Sequence, residues 1–466
     1  MNSLELRRHC ERRLNALDLE RASWFAHWRE LSDHILPRRG AFLRPKGRVD
    51  RGGKLNRNLL DTTAMIAART LSSGLMAGLT SPARPWFRLG IGSPALSEVP
   101  EVRAWLDDVQ ARMLRVFARS NLYNALAVAY EELGVFGTAA MVVVEDEKEV
   151  VRAYPLTAGE YWLGASKRLT VNTLYRALGM TTFQLVEHFG RDKVSRLVRE
   201  RYDRGEWDRE VEVIHAIEPN EPVGRWSPEI GKLGSHNMAF RSVWFERAST
   251  GSADDDALLE VGGFEEFPAL CPRWHLIGND VYGRSPGMDA LPDAKSLQLM
   301  QKRFAMAMDK MVNPTMVAPP SMRGEPPNHA PGAIIYVPDT NGAGYKPAYQ
   351  VNAPLDHFSA AIERRQRAVQ AAFYADLFLM ATQLDDVRSA TEVAERRNEK
   401  LVMLGPVLER LHDDLLEPLI GRVFQIMARA GEIPPPPSPA LDGMRLQPEY
   451  VSAMSGHSDI GSPQPS

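Results

Sequence analysis

The first part of the chain carries apolar residues at helical spacing. The run at 59–79 predicts a helix that ends before the prolines of TSPARPW, because proline has no backbone N–H to continue it. A second helix is predicted from Pro100, where apolar residues recur three and four positions apart. This stripe consists of Val102, Trp105, Val109, Met113 and Phe117. Leu122 to Phe136 predicts a third helix, which Gly137 ends.

Between residues 139 and 285 the pattern is mostly that of β-strands. Ala139–Val144 and Val150–Tyr154 are apolar or β-branched runs separated by the polar sequence EDEKE, which predicts a hairpin with a longer loop. Further elements in this part are strands at Val171–Ala177, Val211–Ile217 and Ser242–Arg247 and a short helix at Thr181–Phe189.

From Pro286 the pattern is helical again, with one interruption. Residues 286–312 predict one helix, in which Pro292 fits only an early turn or a kink. The stretch 313–352 is rich in proline and glycine around one strand-like run, Ala333–Val337. Helix is predicted to resume at about Pro354 and to run to about Phe378.

A polar loop at 380–388 leads into the last predicted helix. Ser389 and Glu392 form a capping box at its start, and it continues to about Ala430. Gly405 and Pro406 lie inside it and predict a kink, since proline removes a helical hydrogen bond. After residue 433 the run PPPPSP and a tail rich in Ser, Gly and Pro have no pattern that would add to a core.

Composition is that of a soluble folded protein, and its charge is nearly balanced. The 466 residues include 56 Lys and Arg against 59 Asp and Glu, a net charge of −3 that excludes a bulk polycation. Residues 1–60 nevertheless carry fourteen basic and seven acidic residues. Their densest part, 38–57, predicts a mobile loop that either contacts phosphates or pairs with an acidic neighbour. The pairing is favoured, because charge runs usually form solvated or docking faces.

Several short motifs resemble sites of known chemistry but lack essential features. Gly-x-Ser-x-Gly at 283–287 presents Ser285, yet the following Pro286 has no N–H to form an oxyanion hole. The glycines of 90–95 lack a preceding strand and an immediate helix, so a connecting turn is predicted there. Residues 47–54 depart from P-loop spacing. Cys271 and His275 are too few for a zinc site. No catalytic residue, metal or cofactor is therefore predicted.

Neither cysteine usage nor hydropathy places the chain outside a reducing compartment. Cys10 and Cys271 are too few for a disulfide framework. The charged N-terminus lacks a signal-peptide core, and the longest apolar run, 135–144, is about half of what a membrane-spanning helix needs. No membrane span is predicted.

Three long blocks of sequence resemble one known family. They are LLDTTAMIAARTLSSGLMAGLTSPARPWFRL at 59–89, CPRWHLIGNDVYGRSPGMDALPDAKSLQ at 271–298 and ATEVAERRNEKLVMLGPVLERLHDDLLEPLIGRVF at 390–424. With the order of helix pair, Pro- and Gly-rich excursion, polar loop and kinked helix, they resemble the head-to-tail connector, or portal, proteins of short-tailed bacteriophages. The resemblance covers most of the chain.

The resemblance implies an α+β portal-type fold, with a mixed α/β wing, a two-helix stem, a small clip and a long kinked helix. Twelve copies would form a ring around a channel at one capsid vertex. The implied division is a wing at 1–285, a first stem helix at 286–312, a clip at 313–353, a second stem helix at 354–378, a tunnel loop at 379–390, a kinked helix towards the crown at 391–431 and a short crown or disordered tail at 432–466.

The implied function is passage of double-stranded DNA during packaging and ejection, with no chemistry of the protein's own. Implied partners are further copies of the chain, the DNA, the large terminase packaging motor, the major capsid and scaffolding proteins and the tail adaptor proteins. The protein would lie at the portal vertex of the virion and, during assembly, in the host cytoplasm.

Two groups of residues are candidates for the channel. On the first stem helix, a packing stripe of Met300, Phe304, Met308 and Met311 accompanies the charged residues Lys295, Lys302, Arg303 and Lys310. These charges either face DNA phosphates or pair with acids of an adjacent subunit. Pairing is favoured for most of them, because many phosphate contacts around a ring would hold DNA still. The tunnel loop offers Thr382, Gln383, Asp385, Asp386 and Arg388, whose net charge of −1 would keep DNA centred.

Two other classes of function are weighed against the portal. One is a serine hydrolase that uses Ser285, and the other is a cytosolic helical adaptor that binds nucleic acid through residues 38–57. A homogeneous ring with an axial hole would support the portal, and a serine-reactive probe would test the hydrolase.

Overall fold

The computed structural model describes residues 3–43, 59–92, 96, 99–220, 238–247, 258–312, 314, 316–317, 346–347, 354–380, 404–438 and 446–450. Its α-helices there are α1 Ser3–His34, α2 Thr63–Leu79, α3 Pro100–Arg119, α4 Leu122–Phe136, α5 Thr182–Phe189, α6 Arg196–Asp203, α7 Pro286–Val312, α8 Leu355–Ala372, α9 Ala375–Met380 and α10 Glu417–Arg429. Its strands are β1 Phe87–Ile91, β2 Ala140–Asp146, β3 Val150–Leu156, β4 Tyr161–Ala165, β5 Val171–Thr181, β6 Glu210–Pro219, β7 Phe240–Glu246, β8 Glu260–Phe264, β9 Ala269–Leu270, β10 Met316–Val317, β11 Lys346–Pro347 and β12 Leu446–Tyr450.

The strands form four antiparallel sheets. The largest has the order β4-β5-β6-β7-β8, in which each strand pairs with the next along the chain. A second sheet has the order β3-β2-β9, and β1 pairs with β12 and β10 with β11. The fold is therefore a mixture of helices and antiparallel sheets, as the predicted α+β class requires. The predicted hairpin is confirmed as β2 and β3, with Val142 opposite Tyr154.

The long N-terminal helix α1 was not predicted from the sequence. Its residues Cys10, Leu14 and Leu17 pack against the five-stranded sheet, in a cluster with Trp162 and Tyr175. Buried arginines also fix this helix by donating to backbone carbonyls. Arg7 Nη2 donates to Glu246 O at 2.8 Å, and Arg21 Nη1 donates to Gly159 O and Tyr161 O at 2.9 Å each. The arginines on the buried side mask the apolar period that would have predicted the helix.

Residues 38–43 correct the predicted mobile loop at 38–57. Two 3₁₀ turns, Pro37–Arg39 and Ala41–Leu43, occupy this part, and Leu43 is buried. Arg39 Nη2 lies 3.1 Å from Glu131 Oε2, and Arg39 Nε lies 3.6 Å from Glu132 Oε1. For Arg39, the favoured pairing with an acidic neighbour is thus confirmed. Residues 44–57 lie outside the described part of the chain.

The turn after α4 explains why the helix ends where the sequence predicts. Gly137 has a left-handed φ of 80°, and a Cβ built on it would lie 2.2 Å from Gly283 O. Only glycine fits this position, because both the conformation and the close backbone approach exclude a side chain. The turn places the backbone of residues 138–139 beside that of residues 272–273. The pairing of β2 with β9 begins directly after this contact.

The second predicted stem helix is shorter than expected. α8 ends at Ala372, because Tyr374 adopts a left-handed φ of 55°, and a separate helix α9 follows. Phe373 is fully buried, and the Tyr374 ring lies 6.2 Å from the Trp274 ring. Packing of Phe373 and Tyr374 accompanies the break. The helical pattern up to Phe378 had predicted one continuous helix.

The end of the described chain corrects the expectation that nothing after residue 433 adds to the fold. Leu446–Tyr450 pairs with β1, with Leu89 opposite Pro448. Trp105 Nε1 donates to Pro434 O at 3.0 Å, so the proline-rich segment packs on α3. The same pairing shows that Gly90 is a strand residue rather than part of a connecting turn.

Gly405 and Pro406 lie in helical residues 404–411, and the helix beyond them contains a feature the sequence did not reveal. Residues His412–Leu416 form a π-helical turn, and α10 follows with Pro418 in its first turn. Pro418 has no N–H to donate to the carbonyl of Asp414, so the regular α-helical bond is lost there. The predicted kink at Gly405 and Pro406 stays a prediction, since residues 381–403 lie outside the described part.

Candidate functional site

The helices α7 and α8 form a hairpin at the position predicted for the two-helix stem, and they are called the stem helices below. The first half of α7 is buried, including Met288, Leu291 and Leu297, whereas residues 302–312 are mostly exposed. The exposed end of α7 and the start of α8 are joined through the antiparallel pair β10–β11. The two helices therefore run antiparallel, with one end in the core and the other in solvent.

Asp61, which lies just before the start of α2, holds the base of both stem helices through its backbone and its carboxylate. Gln298 Oε1 accepts from Asp61 N at 3.0 Å, and Gln298 Nε2 donates to Asp61 O at 2.8 Å. Gln366 Nε2 donates to Asp61 Oδ2 at 2.8 Å, and Thr63 N donates to Asp61 Oδ1 at 2.9 Å. Asp61 is buried; its backbone bonds α7, and its carboxylate bonds α8 and the first residue of α2, so this one residue ties the three helices together.

Two ion pairs add to this base. Arg365 on α8 contacts Asp293 on α7, and Lys295 Nζ lies 2.6 Å from Glu30 Oε2 on α1. The hydrogen bond from Lys295 is the main cause of a lowered pKa for Glu30. Both pairs are partly or largely exposed, so each contributes little to stability but fixes orientation.

Only two of the four residues in the predicted packing stripe on α7 are packed within one chain. Met300 and Phe304 pack against the main core, whereas Met308 and Met311 are about two-fifths exposed. Methionine side chains adapt readily to a partner surface, so the outer half of the stripe is suited to contact another element.

The four predicted stem charges fall into two groups. Lys295 is used inside the chain by Glu30. Lys302, Arg303 and Lys310 are exposed, and among the described residues they form no ion pair. The structure thus separates Lys295 from the three charges that remain available to DNA or to a neighbour.

The candidate tunnel-loop residues lie outside the described part of the chain. These residues are Thr382, Gln383, Asp385, Asp386 and Arg388. The capping box at Ser389 and Glu392 and the strand-like run at 333–337 also lie outside it.

Ser285 is a helix cap and not a nucleophile. Its Oγ donates to Val135 O at 2.6 Å and accepts from Met288 N at 3.1 Å, and the residue is buried. Both hydrogen-bonding roles of the hydroxyl are thereby used at the start of α7. His275, the nearest histidine in sequence, pairs with Arg284 through its backbone.

The buried ion pairs that attach the C-terminal helix were missed by sequence reasoning. Arg273, 2% exposed, lies 3.1 Å from Asp414 in the π-helical turn and donates to Leu169 O. Burial raises the pKa of Asp414, against the lowering effect of Arg273. Arg422 on α10 likewise lies 2.5 Å from Glu266. Partners more than a hundred residues apart leave no pattern in a single sequence.

Metal-binding clusters and membrane-spanning helices are both absent from the described residues. These residues contain no group of three or more His, Cys, Asp or Glu side chains placed to hold a metal ion. No helix in this part of the chain is long and apolar enough to cross a membrane. Cys10 and Cys271 are both buried and unpaired as disulfides.

These features define a protein that presents a helical hairpin from a mixed helix and sheet body. Residues 7–457 match the family described as bacteriophage head to tail connecting protein. The chain is 46% identical over 446 residues to a probable portal protein of Bordetella phage BPP-1. It is 45% identical over 447 residues to the portal protein of Salmonella phage epsilon15. Each match covers 95% of this chain and 78% of the relative.

The chain therefore belongs to the bacteriophage head-to-tail connecting proteins. This family is structural rather than enzymatic, and the predicted family is confirmed. The hydrolase and adaptor alternatives gain no support from the comparisons.

Proposed function

We propose that copies of this chain assemble into a ring at one vertex of a phage capsid, and that double-stranded DNA passes through the ring. As a member of the connector family, the chain acts as a portal at the capsid vertex. The observation that carries the proposal is the family match over residues 7–457, which includes both stem helices. A ring of twelve copies is part of the proposal.

The proposed division of labour follows the chain. Residues 1–285 form the wing, α7 and α8 the stem, and 313–353 the clip, which docks the large terminase motor and later the tail adaptor proteins. Residues 379–390 form the tunnel loop, 391–431 the kinked helix and 432–466 the crown region. Major capsid and scaffolding proteins are the proposed partners during assembly in the host cytoplasm.

Ring formation is tested on the purified chain by negative-stain microscopy and native mass spectrometry. A homogeneous ring with an axial hole and a single copy number supports the proposal. A monodisperse monomer at every concentration contradicts it.

The proposed role of the tunnel loop is to guide DNA without gripping it. Asp385 and Asp386 repel phosphates, while Thr382 and Gln383 offer weak polar contacts. Each phosphate neutralised by Lys or Arg adds salt-dependent affinity, so a channel through which DNA slides should expose few such contacts.

Reversal of the loop charge tests this role. The double variant Asp385→Lys with Asp386→Lys should shorten the packaged DNA or delay its release, because it introduces phosphate contacts. The control Asp192→Lys with Asp208→Lys makes the same charge change at two exposed positions near α6. Unchanged packaged length and retention in the loop variant would show that the loop charge has no such role.

A further inference from the structure

The stem hairpin has an outer edge on each helix, and on α7 this edge carries two lysines, with the exposed Asp309 beside Lys310. Lys302, Met306 and Lys310 are four residues apart, which places them on one face of the helix. This face is turned away from Met300 and Phe304, which pack against the core. All three side chains are exposed, and 52% of Met306 is accessible. We refer to these three residues as the basic edge.

The outer edge on α8 carries acids at nearly the same spacing. Asp356, Ala360 and Glu363 lie four and three residues apart and are exposed. They face away from Ile362 and Val369, which are the buried residues of α8. We refer to Asp356, Ala360 and Glu363 as the acidic edge.

The two edges match in length, charge and shape. At a rise of 1.5 Å per residue, Lys302 and Lys310 are about 12 Å apart along α7, and Asp356 and Glu363 are about 10.5 Å apart along α8. In each edge an uncharged residue lies between the charges. It is the long Met306 on one edge and the small Ala360 on the other, so a protruding side chain faces a shallow site.

Arginines beside the acidic edge compete with a neighbouring subunit for its carboxylates. Arg364 and Arg367 flank Glu363, and Arg367 Nη2 lies 3.6 Å from Glu363 Oε2. Both members of that pair are well exposed, and an exposed pair at i and i+4 is weak enough to be exchanged for another partner.

We propose that the basic edge of one copy packs on the acidic edge of the next copy in the ring. Lys302 lies opposite Glu363, Lys310 opposite Asp356, and Met306 on Ala360. Because the two surfaces differ, the contact is head to tail and repeats from copy to copy until the ring closes. This inference rests on the proposed ring, and it assigns these lysines to a neighbouring subunit instead of to DNA.

The pairing fixes how neighbouring hairpins are offset. Within one hairpin Asp293 contacts Arg365, which places Lys302 level with Asp356 of the same chain. For Lys302 to reach Glu363 of the next copy, that copy must be shifted by seven residues, or about 10 Å, along the helices. The stem hairpins are then tilted with respect to the ring axis.

Cysteine crosslinking tests the contact directly. The double variant Met306→Cys with Ala360→Cys should, on mild oxidation of assembled rings, give a ladder of covalent multimers on a denaturing gel. Background is low, because Cys10 and Cys271 are buried. Each single variant should give no ladder beyond a dimer. The register control Leu299→Cys with Ala360→Cys moves one thiol by seven residues and should crosslink at least tenfold less.

The outcomes separate this contact from the proposed ring. Rings that form but give no ladder, or that crosslink better in the register control, overturn the contact and leave the ring intact. A wild-type chain that forms no ring overturns both.

Charge exchange tests the ionic part of the contact. Lys302→Glu and Glu363→Lys should each reduce the fraction of chain in rings at least threefold, and the double variant should restore it. The mismatched double variant Lys302→Glu with Asp356→Lys should not restore assembly. Absence of restoration in the matched pair, or restoration only in the mismatched pair, overturns the assignment.

Discussion

Glu132 makes the stability of the folded chain depend on pH, and its surroundings explain the sign and size of the effect. The residue lies on α4 and is completely buried. Its Oε1 accepts from Thr157 Oγ1 at 2.7 Å, its Oε2 accepts from Ala158 N at 3.1 Å, and Arg39 lies 3.6 Å away. Burial outweighs these contacts and raises the pKa of Glu132 from 4.5 to about 7.

The sign and size of the effect follow from linkage. Below pH 4.5 the carboxyl is protonated in both the folded and the unfolded chain, so it adds no difference. Between pH 4.5 and 7 the folded chain keeps a proton that the unfolded chain has lost, so the free energy of unfolding falls as pH rises. At about 1.4 kcal/mol for each pH unit, the loss reaches about 3 kcal/mol at pH 7.

The substitution Glu132→Gln should remove this slope. The amide keeps an acceptor for Thr157 but places an NH₂ group near Ala158 N, which lowers stability by about 1 to 3 kcal/mol below pH 5. Urea unfolding of the unassembled chain at several pH values from 5 to 8 should give a smaller decrease in the variant than in the wild type. The control Glu131→Gln removes a neighbouring partner of Arg39. Parallel wild-type and Glu132→Gln curves would refute the reasoning.

Three further substitutions test the packing around the stem base and the last helix by urea unfolding. Gly137→Ala should lower the free energy of unfolding by at least about 2 kcal/mol and by more than Gly431→Ala, because both glycines have positive φ but a Cβ clashes with backbone only at Gly137. Equal effects would contradict this. Ser285→Ala should lower the free energy of unfolding by about 1 to 2 kcal/mol, and a serine-reactive probe should leave Ser285 of the wild-type chain unlabelled. Asp414→Asn should cost about 3 kcal/mol by leaving buried Arg273 without a counter-charge; a loss below 1 kcal/mol would refute this.

The helices and strands with a clear apolar period could be predicted from the sequence. α4 and α7 have the predicted bounds, and β2 and β3 form the predicted hairpin. Their apolar residues are buried against neighbouring elements at the expected spacing, and Gly137 ends α4 with a left-handed turn. Local sequence and tertiary packing agree in these elements, which is why a single sequence suffices.

The missed elements depend on partners far away in the chain. α1 buries Arg7 and Arg21, which donate to carbonyls more than a hundred residues away in addition to pairing with Glu11 and Asp18, so its buried face is not purely apolar. β12 contains Pro448 and is a strand only because it pairs with β1. The break at Tyr374 accompanies contact with Trp274. Such conformations are decided by tertiary contacts that override local preference.

The candidate site was predicted to a smaller extent than the fold. The sequence identified the stem helix and its charges, but spacing alone could not show that Lys295 has a partner on α1. It also gave no sign that Asp61 bonds both stem helices. The family resemblance supplied the function, and the comparisons confirm that family.

The distribution of ion pairs along the stem separates what one chain can fix from what requires an assembly. At the base, Lys295 and Arg365 have partners within the chain, so the hairpin leaves the core in a defined direction. Farther out, Lys302 and Lys310 lack ion-pair partners among the described residues, and Met306 is exposed. A single exposed ion pair contributes little to the stability of an interface, but a ring would repeat the same pair at every interface between copies. In the proposed ring, lysines paired with acids of the neighbouring copy would attract phosphates less, so a basic stem in a chain of net charge −3 would surround DNA and still let it slide.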